Sequence, residues 1–101
     1  MNILYENKWI EVERNDPRVS KAGIIIGPGV VIYPDVSIEP NVHIGKKAYI
    51  STGVYIARNV FIGRNVKISR DAVIGAGSQI GQGSKIKCSK VIKPASIIRP
   101  E

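Results

Sequence analysis

No disulfide can form within this chain, because it holds a single cysteine, Cys88. A plain free thiol is expected there. Histidine is equally scarce, with His43 alone. No apolar run approaches the length needed to cross a bilayer, so no membrane partner is expected. The N-terminus lacks the pattern of a secretory leader, and a cytoplasmic address is expected. Acids are few, 8 against 15 lysines and arginines, leaving a formal charge of +7. That balance suggests an anionic partner; a basic solvated surface is the other reading. At 101 residues the chain is one domain with a modest core.

What the chain does have is a rhythm. Isoleucine stands at 26, 32, 38, 44, 50, 56, 62, 68, 74, 80, 86, 92 and 98. Neither a helix of period 3.6 nor a strand bounded by turns gives a strict period of six; a repeat architecture does. Two residues before most of these isoleucines stands a small residue, among them Val30, Val36, Val42, Ala48, Val54 and Val60. In a strand that residue shares a side with the isoleucine. One place earlier stand Gly29, Asp35, Asn41, Gly53, Asn59, Asn65, Asp71, Gly77 and Gly83, types that tolerate a positive φ. Pro28, Pro34, Pro40 and Pro94 precede this place, as in a type II turn. Each unit is therefore a short strand ending in a corner. Three corners close a triangular coil of eighteen residues, and the fold class is all-β, a parallel β-helix of about four coils with isoleucine stacked inside.

The segments IGPGVV, IGKKAY, IGRNVK, IGAGSQ and IGQGSK resemble the hexapeptide-repeat family, whose pattern is aliphatic-Gly-x-x-small-x. The resemblance covers about three quarters of the chain. It implies a left-handed coil, although parallel crossovers are usually right-handed. It also implies a homotrimer and the acyltransferase superfamily.

Residues 1–23 fall outside the repeat and are expected to form a cap and lead-in, with 24–101 as the β-helix. NILYENKWIEVE reads as two short strands, Ile3–Tyr5 and Trp9–Val12. A hairpin there would protect the open end of the stack, with Trp9 as its apolar anchor. At the other end Lys90 takes an inward slot that wants a small residue, so the coil around Cys88 to Val91 is expected to be distorted or frayed.

Residues eighteen apart should stack, so the exterior reads as columns. One face shows Ile25, His43, Phe61, Gln79 and Ile97 beside Gly27, Gly45, Gly63 and Gly81. The glycines are expected to let another chain approach closely. A second face shows Ser37, Tyr55, Val73 and Val91, and the third shows Val31, Tyr49, Lys67 and Lys85. Two adjoining apolar faces suggest burial against copies, and closed threefold symmetry would satisfy both. The expected contacts are Ile25, Tyr55, Phe61 and Val73. A small core gives a further reason to oligomerise.

The corner joining the two apolar faces carries Arg58 and Asn59. IARNVFIGRN resembles the active-site segment of the hexapeptide acyltransferases of lipid A synthesis, Ile-Ala-His-Asn/Asp, in which the histidine is the general base. Here that slot is Arg58, which stays protonated and cannot take a proton near neutral pH. Arg58 with Asn59 would bind acid groups instead. His43, near the same corner, is the remaining base candidate, or else an interface histidine.

A second set of residues is basic. Lys46, Lys47 and Arg64 stack at another corner, with Lys67 and Lys85 on the adjoining face. Stacked cations repel unless an anion sits among them. A phosphate-bearing small molecule fits: the pyrophosphate end of coenzyme A, a nucleotide-sugar, or another polyanion. Solvated charge is the alternative. No base-reading motif is present, and a nucleic-acid partner is not expected. The carbonic anhydrases built on this prism need three histidines for zinc, so no metal is expected.

Two function classes remain. One is an acyltransferase taking an acetyl or acyl group from coenzyme A, or another thioester carrier, to a hydroxyl or amine of a sugar-like acceptor. The other is a non-catalytic trimerising scaffold that binds anions. The arginine at the base position and the lack of a coenzyme-holding extension past the prism favour the second, and ancestry favours the first.

Overall fold

The computed structural model describes residues 1–100; Glu101, the end of the expected β-helix segment, lies outside them. The ladder isoleucines point down a common shaft. Ile38, Ile44, Ile50, Ile56, Ile62, Ile68, Ile74 and Ile80 are all fully buried, Ile86 and Ile92 nearly so. Ile26, Ile32 and Ile98, at the two ends of the stack, are partly buried. The small residues of the fifth place, Val30 through Ala72, fill the space between them.

Each unit contributes a two-residue strand, and every third strand pairs in parallel. The first face holds β3 (Ile25–Ile26), β6 (His43–Ile44), β9 (Phe61–Ile62), β12 (Gln79–Ile80) and β15 (Ile97–Ile98), stacked in that order. The second holds β5 (Ser37–Ile38), β8 (Tyr55–Ile56), β11 (Val73–Ile74) and β14 (Val91–Ile92). The third holds β4 (Val31–Ile32), β7 (Tyr49–Ile50), β10 (Lys67–Ile68) and β13 (Lys85–Ile86). Registers run Ile25 to His43 to Phe61 and Ser37 to Tyr55 to Val73, so the columns stand as the spacing requires.

The corners use the left-handed backbone region. Gly29, Asn41, Gly53, Asn59, Asn65, Asp71, Gly77 and Gly83 have positive φ, and so do Lys47, Ser89 and Ala95. Asp35 is absent from this set; its carboxylate accepts from Thr52 Oγ1 at 2.5 Å.

The N-terminal segment departs from expectation in detail. β1 (Asn2–Tyr5) pairs antiparallel with β2 (Lys8–Glu11), and β1 also pairs in parallel with β5, placing Ile3 against Ile38. The hairpin thus extends the second face by two strands. Its anchor is Ile3, fully buried, rather than Trp9, which is 46% exposed and rests on the Tyr55 ring at 5.9 Å. Ile3 wins because it inherits a ready ladder position, whereas Trp9 alternates to the outside.

A short helix, α1 (Pro17–Lys21), was not legible in the segment RNDP. Asp16 caps it by accepting from the Arg18 N–H at 2.9 Å, and Pro17 takes the first turn, where a missing N–H costs nothing. Hydrogen bonds from the Arg18 side chain and backbone pull the Asp16 carboxyl down to about 2. Val19, Ala22 and Ile24 then close the lower end of the shaft beside Val12.

The last coil is not frayed. β14 keeps register with β11, and the Val73 N–H donates to the Lys90 carbonyl at 2.9 Å. Lys90 is exposed in its inward slot.

The glycine column is also constrained within the chain. A Cβ on Gly45 would meet Arg64 N at 2.6 Å and the Gly63 carbonyl carbon at 2.7 Å; one on Gly63 would meet Gln82 N at 2.7 Å. These are backbone atoms of the next coil. The glycines are required by stacking within the chain.

Candidate functional site

The corner between the second and first faces is built by hydrogen bonds that climb from coil to coil. Asn41 N–H donates to the Ala22 carbonyl, Asn59 N–H to Pro40, Gly77 N–H to Arg58 and Ala95 N–H to Ala76, at 2.8–3.2 Å. The column therefore presents Asn41, Asn59, Gly77 and Ala95 at equivalent turns. Gly23 begins it with a φ of 78°, and a Cβ there would lie 2.3 Å from Asn41 Oδ1.

On this column Arg58 is held by Glu39, one coil below. Its backbone N–H donates to Glu39 Oε1 at 2.8 Å and its Nε to the same oxygen at 3.3 Å. The other oxygen, Oε2, accepts from the Tyr55 hydroxyl. Partial burial alone would raise the Glu39 pKa, but the three donors outweigh it and the carboxyl lies below its usual range. Burial first, then the Glu39 bond, pushes the Tyr55 hydroxyl up to about 12. Tyr55 therefore stays protonated as a donor, and Arg58 enters the corner already paired on one edge. Glu39 was absent from the candidate residues. Its sequence signal was modest: it faces outward beside Ser37, one coil beneath Ala57 and Arg58.

His43 lies on the first face, two residues past Asn41. Its ring stands edge-on to Phe61, centroids 5.0 Å apart at 84°. The carboxylate at this corner, Glu39, is bonded to Tyr55 and Arg58 rather than to an imidazole. Both faces beside the corner expose apolar side chains: Ile25, Phe61 and Ile97 on one, Val73 and Val91 on the other.

The basic residues divide into two groups. Lys46, Lys47 and Arg64 share the corner between the first and third faces, where the Asn65 N–H donates to the Lys46 carbonyl. Arg64 Nε is tied to Gln82 Oε1 at 2.8 Å. Lys67 and Lys85 pair in register on the third face, above a tyrosine step in which the Tyr33 and Tyr49 hydroxyls meet at 2.8 Å. Lys67 Nζ lies 5.8 Å from the Tyr49 ring centre. A cavity of about 610 Å³ opens over the upper edge of β13 and includes Lys67 and Lys85, but not Lys46, Lys47 or Arg64. Among the described residues no three His, Cys, Asp or Glu side chains stand together as metal ligands, and no helix is long and apolar enough to cross a membrane.

Among solved structures the chain is similar to a point mutant of perosamine N-acetyltransferase from Caulobacter crescentus in complex with CoA and GDP-perosamine. Identity is 19% and the TM-score 0.42, over 78% of this chain and 43% of that one. This chain therefore spans less than half the length of that protein. No curated protein sequence matches it. The family model described as bacterial transferase hexapeptide (six repeats) matches residues 23–58 and 53–88, a continuous run through the stacked coils. The chain belongs to this hexapeptide-repeat family.

Proposed function

We propose that this chain is an acyltransferase-like β-helix that acts as a homotrimer, winding left-handed as its family does. The supporting observation is the Arg58–Asn59 corner, which stands between two faces that expose Phe61, Ile25, Val73 and Val91 to solvent. In a threefold ring each face would meet a neighbour, and this corner would line a cleft between subunits. Tyr55 would stand at the rim of that contact.

In the cleft a thioester such as acetyl-coenzyme A and a sugar-like acceptor would meet. His43 would take the proton of the acceptor hydroxyl or amine as that atom attacks the thioester carbonyl. The carbonyl–sulfur bond then breaks, and the sulfur leaves as a thiol once protonated. Arg58, oriented by Glu39, would hold an acidic group of donor or acceptor with the guanidinium edge that Glu39 leaves free. Lys46, Lys47 and Arg64 would contribute positive potential at the far corner of the prism.

The second reading is a non-catalytic trimerising scaffold. It is favoured by the pairing of Arg58 with Glu39, which puts an ion-paired guanidinium at the position of the family's base.

Thermal melting separates the two. The transferase reading expects acetyl-coenzyme A to raise the melting temperature more than pyrophosphate or DNA does, and His43→Ala to abolish acetyl transfer. Transfer unchanged in that variant removes His43 from the mechanism. No shift with the coenzyme leaves the scaffold.

A further inference from the structure

Tyr33 and Tyr49 stand on successive rungs of the third face. Val31 is in register with Tyr49, and the Tyr33 N–H donates to the Ile50 carbonyl at 3.2 Å. The two tyrosines are therefore diagonal neighbours on the same outer side. Their hydroxyls meet at 2.8 Å, and their rings lie edge to face, centroids 5.8 Å apart at 70°. The ring carbons next to the two bonded hydroxyls are thereby brought close as well. Tyr33 is 38% exposed, so a small oxidant in solution can reach the pair.

The other tyrosines stand differently. Tyr55 donates its hydroxyl to Glu39, and its ring meets Trp9. Tyr5 packs against the buried core. The hydrogen bond from Tyr49 also raises the Tyr33 pKa above its ordinary value of 10. Tyr33 thus keeps its proton near neutral pH, and an electron taken from it leaves together with that proton.

We propose that Tyr33 and Tyr49 are a site of oxidative modification, joined into a dityrosine by a one-electron oxidant such as a haem peroxidase fed with hydrogen peroxide. Each phenol loses one electron and its hydroxyl proton, giving two phenoxyl radicals. A carbon–carbon bond forms between the ring carbons ortho to the two oxygens. The hydrogen on each of those carbons then leaves as a proton, a proton returns to each oxygen, and both phenols are restored. The pair gives up two electrons and two protons in all, and hydrogen peroxide takes them up as it becomes water. The new bond ties adjacent coils together. The chain's single cysteine cannot provide such a staple within it. Closing the loop between residues 33 and 49 restricts the unfolded chain as a disulfide would, so the link stabilises the coils that it joins. The pair lies on the third face, away from the Arg58 corner, and does not rest on the transferase reading.

Treating the whole chain with peroxidase and an equivalent of hydrogen peroxide tests it. The expected product is a single chain lighter by two hydrogens, with dityrosine fluorescence and a linked peptide that joins Tyr33 to Tyr49. It should form at a rate per chain independent of protein concentration and melt several degrees higher than the parent. Tyr33→Phe and Tyr49→Phe keep the ring and remove the phenol, and each should lower the yield at least tenfold. Tyr55→Phe should change it less than twofold. The proposal is overturned if no dityrosine forms, if the links run between chains, or if Tyr33→Phe leaves the yield unchanged. A product that melts no higher than the parent overturns the staple.

Discussion

Ile3 lies in register against Ile38, so a residue outside the repeat completes the isoleucine ladder. The pairing converts the N-terminal hairpin into two further strands of the second face. Replacing Ile3 with alanine should cost about 2–5 kcal/mol by leaving a cavity in a shaft that cannot collapse. Trp9→Ala, at a half-exposed site, should cost clearly less. Chemical denaturation of the two variants checks the order, and a larger loss from Trp9→Ala would refute it.

Glycine should be irreplaceable where the coils stack and merely preferred at the open corner. Gly45→Ala drives a Cβ into the Arg64 backbone, which has no rotamer through which to escape. Gly83→Ala meets nothing within 4 Å and bears only the strain of a φ of 76°, about 1–2 kcal/mol. Melting temperatures should fall much further for Gly45→Ala.

The Glu39 cluster gives stability a dependence on acid. Its carboxyl has a folded pKa below the ordinary 4.5. The unfolded chain therefore binds the proton more readily, and the contribution is full above pH 4.5 and fades as pH falls through the folded value. Asp16, held at about 2, acts in the same direction. Glu39→Gln should flatten the fall in stability between pH 5 and pH 3, which urea midpoints taken across that range would show.

Tyr55 provides the alkaline counterpart. With its hydroxyl at about 12, raised from 10, its contribution is complete below pH 10 and lost as pH rises toward 12. Glu39→Gln should lower the Tyr55 value without returning it to 10, because burial, the larger cause, remains. Ultraviolet titration of tyrosinate reads this directly. A Tyr55 value unchanged by the substitution would mean that the bond to Glu39 does not form in solution.

The proposed trimer is tested by charge. Phe61→Glu puts a carboxylate in the middle of the first face, where His43 and Phe61 now stack. Sedimentation should show a trimer for the parent chain and a monomer for the variant at micromolar concentration. A monomeric parent would refute the assembly.

Much of the backbone path was legible before any coordinates. The corner positions followed from Gly, Asn and Asp, and Lys47, Ser89 and Ala95, at the same place in their units, adopt the left-handed turn as well. Asp35 is the exception among the Asp and Asn corners. The candidate site was less legible. Arg58 was found through a resemblance to a motif, but Glu39 and Tyr55, which hold it, are joined to it only across a coil.

The six-residue period by itself determined the shaft, the corners and which side chains share a column. Such a pattern is local, and repetition makes each unit reinforce the next. Tertiary structure alone decided that Ile3 rather than Trp9 anchors the hairpin and that the glycines serve stacking. Those outcomes depend on side-chain reach and on the space left between coils, quantities that exist only once the chain has wound upon itself.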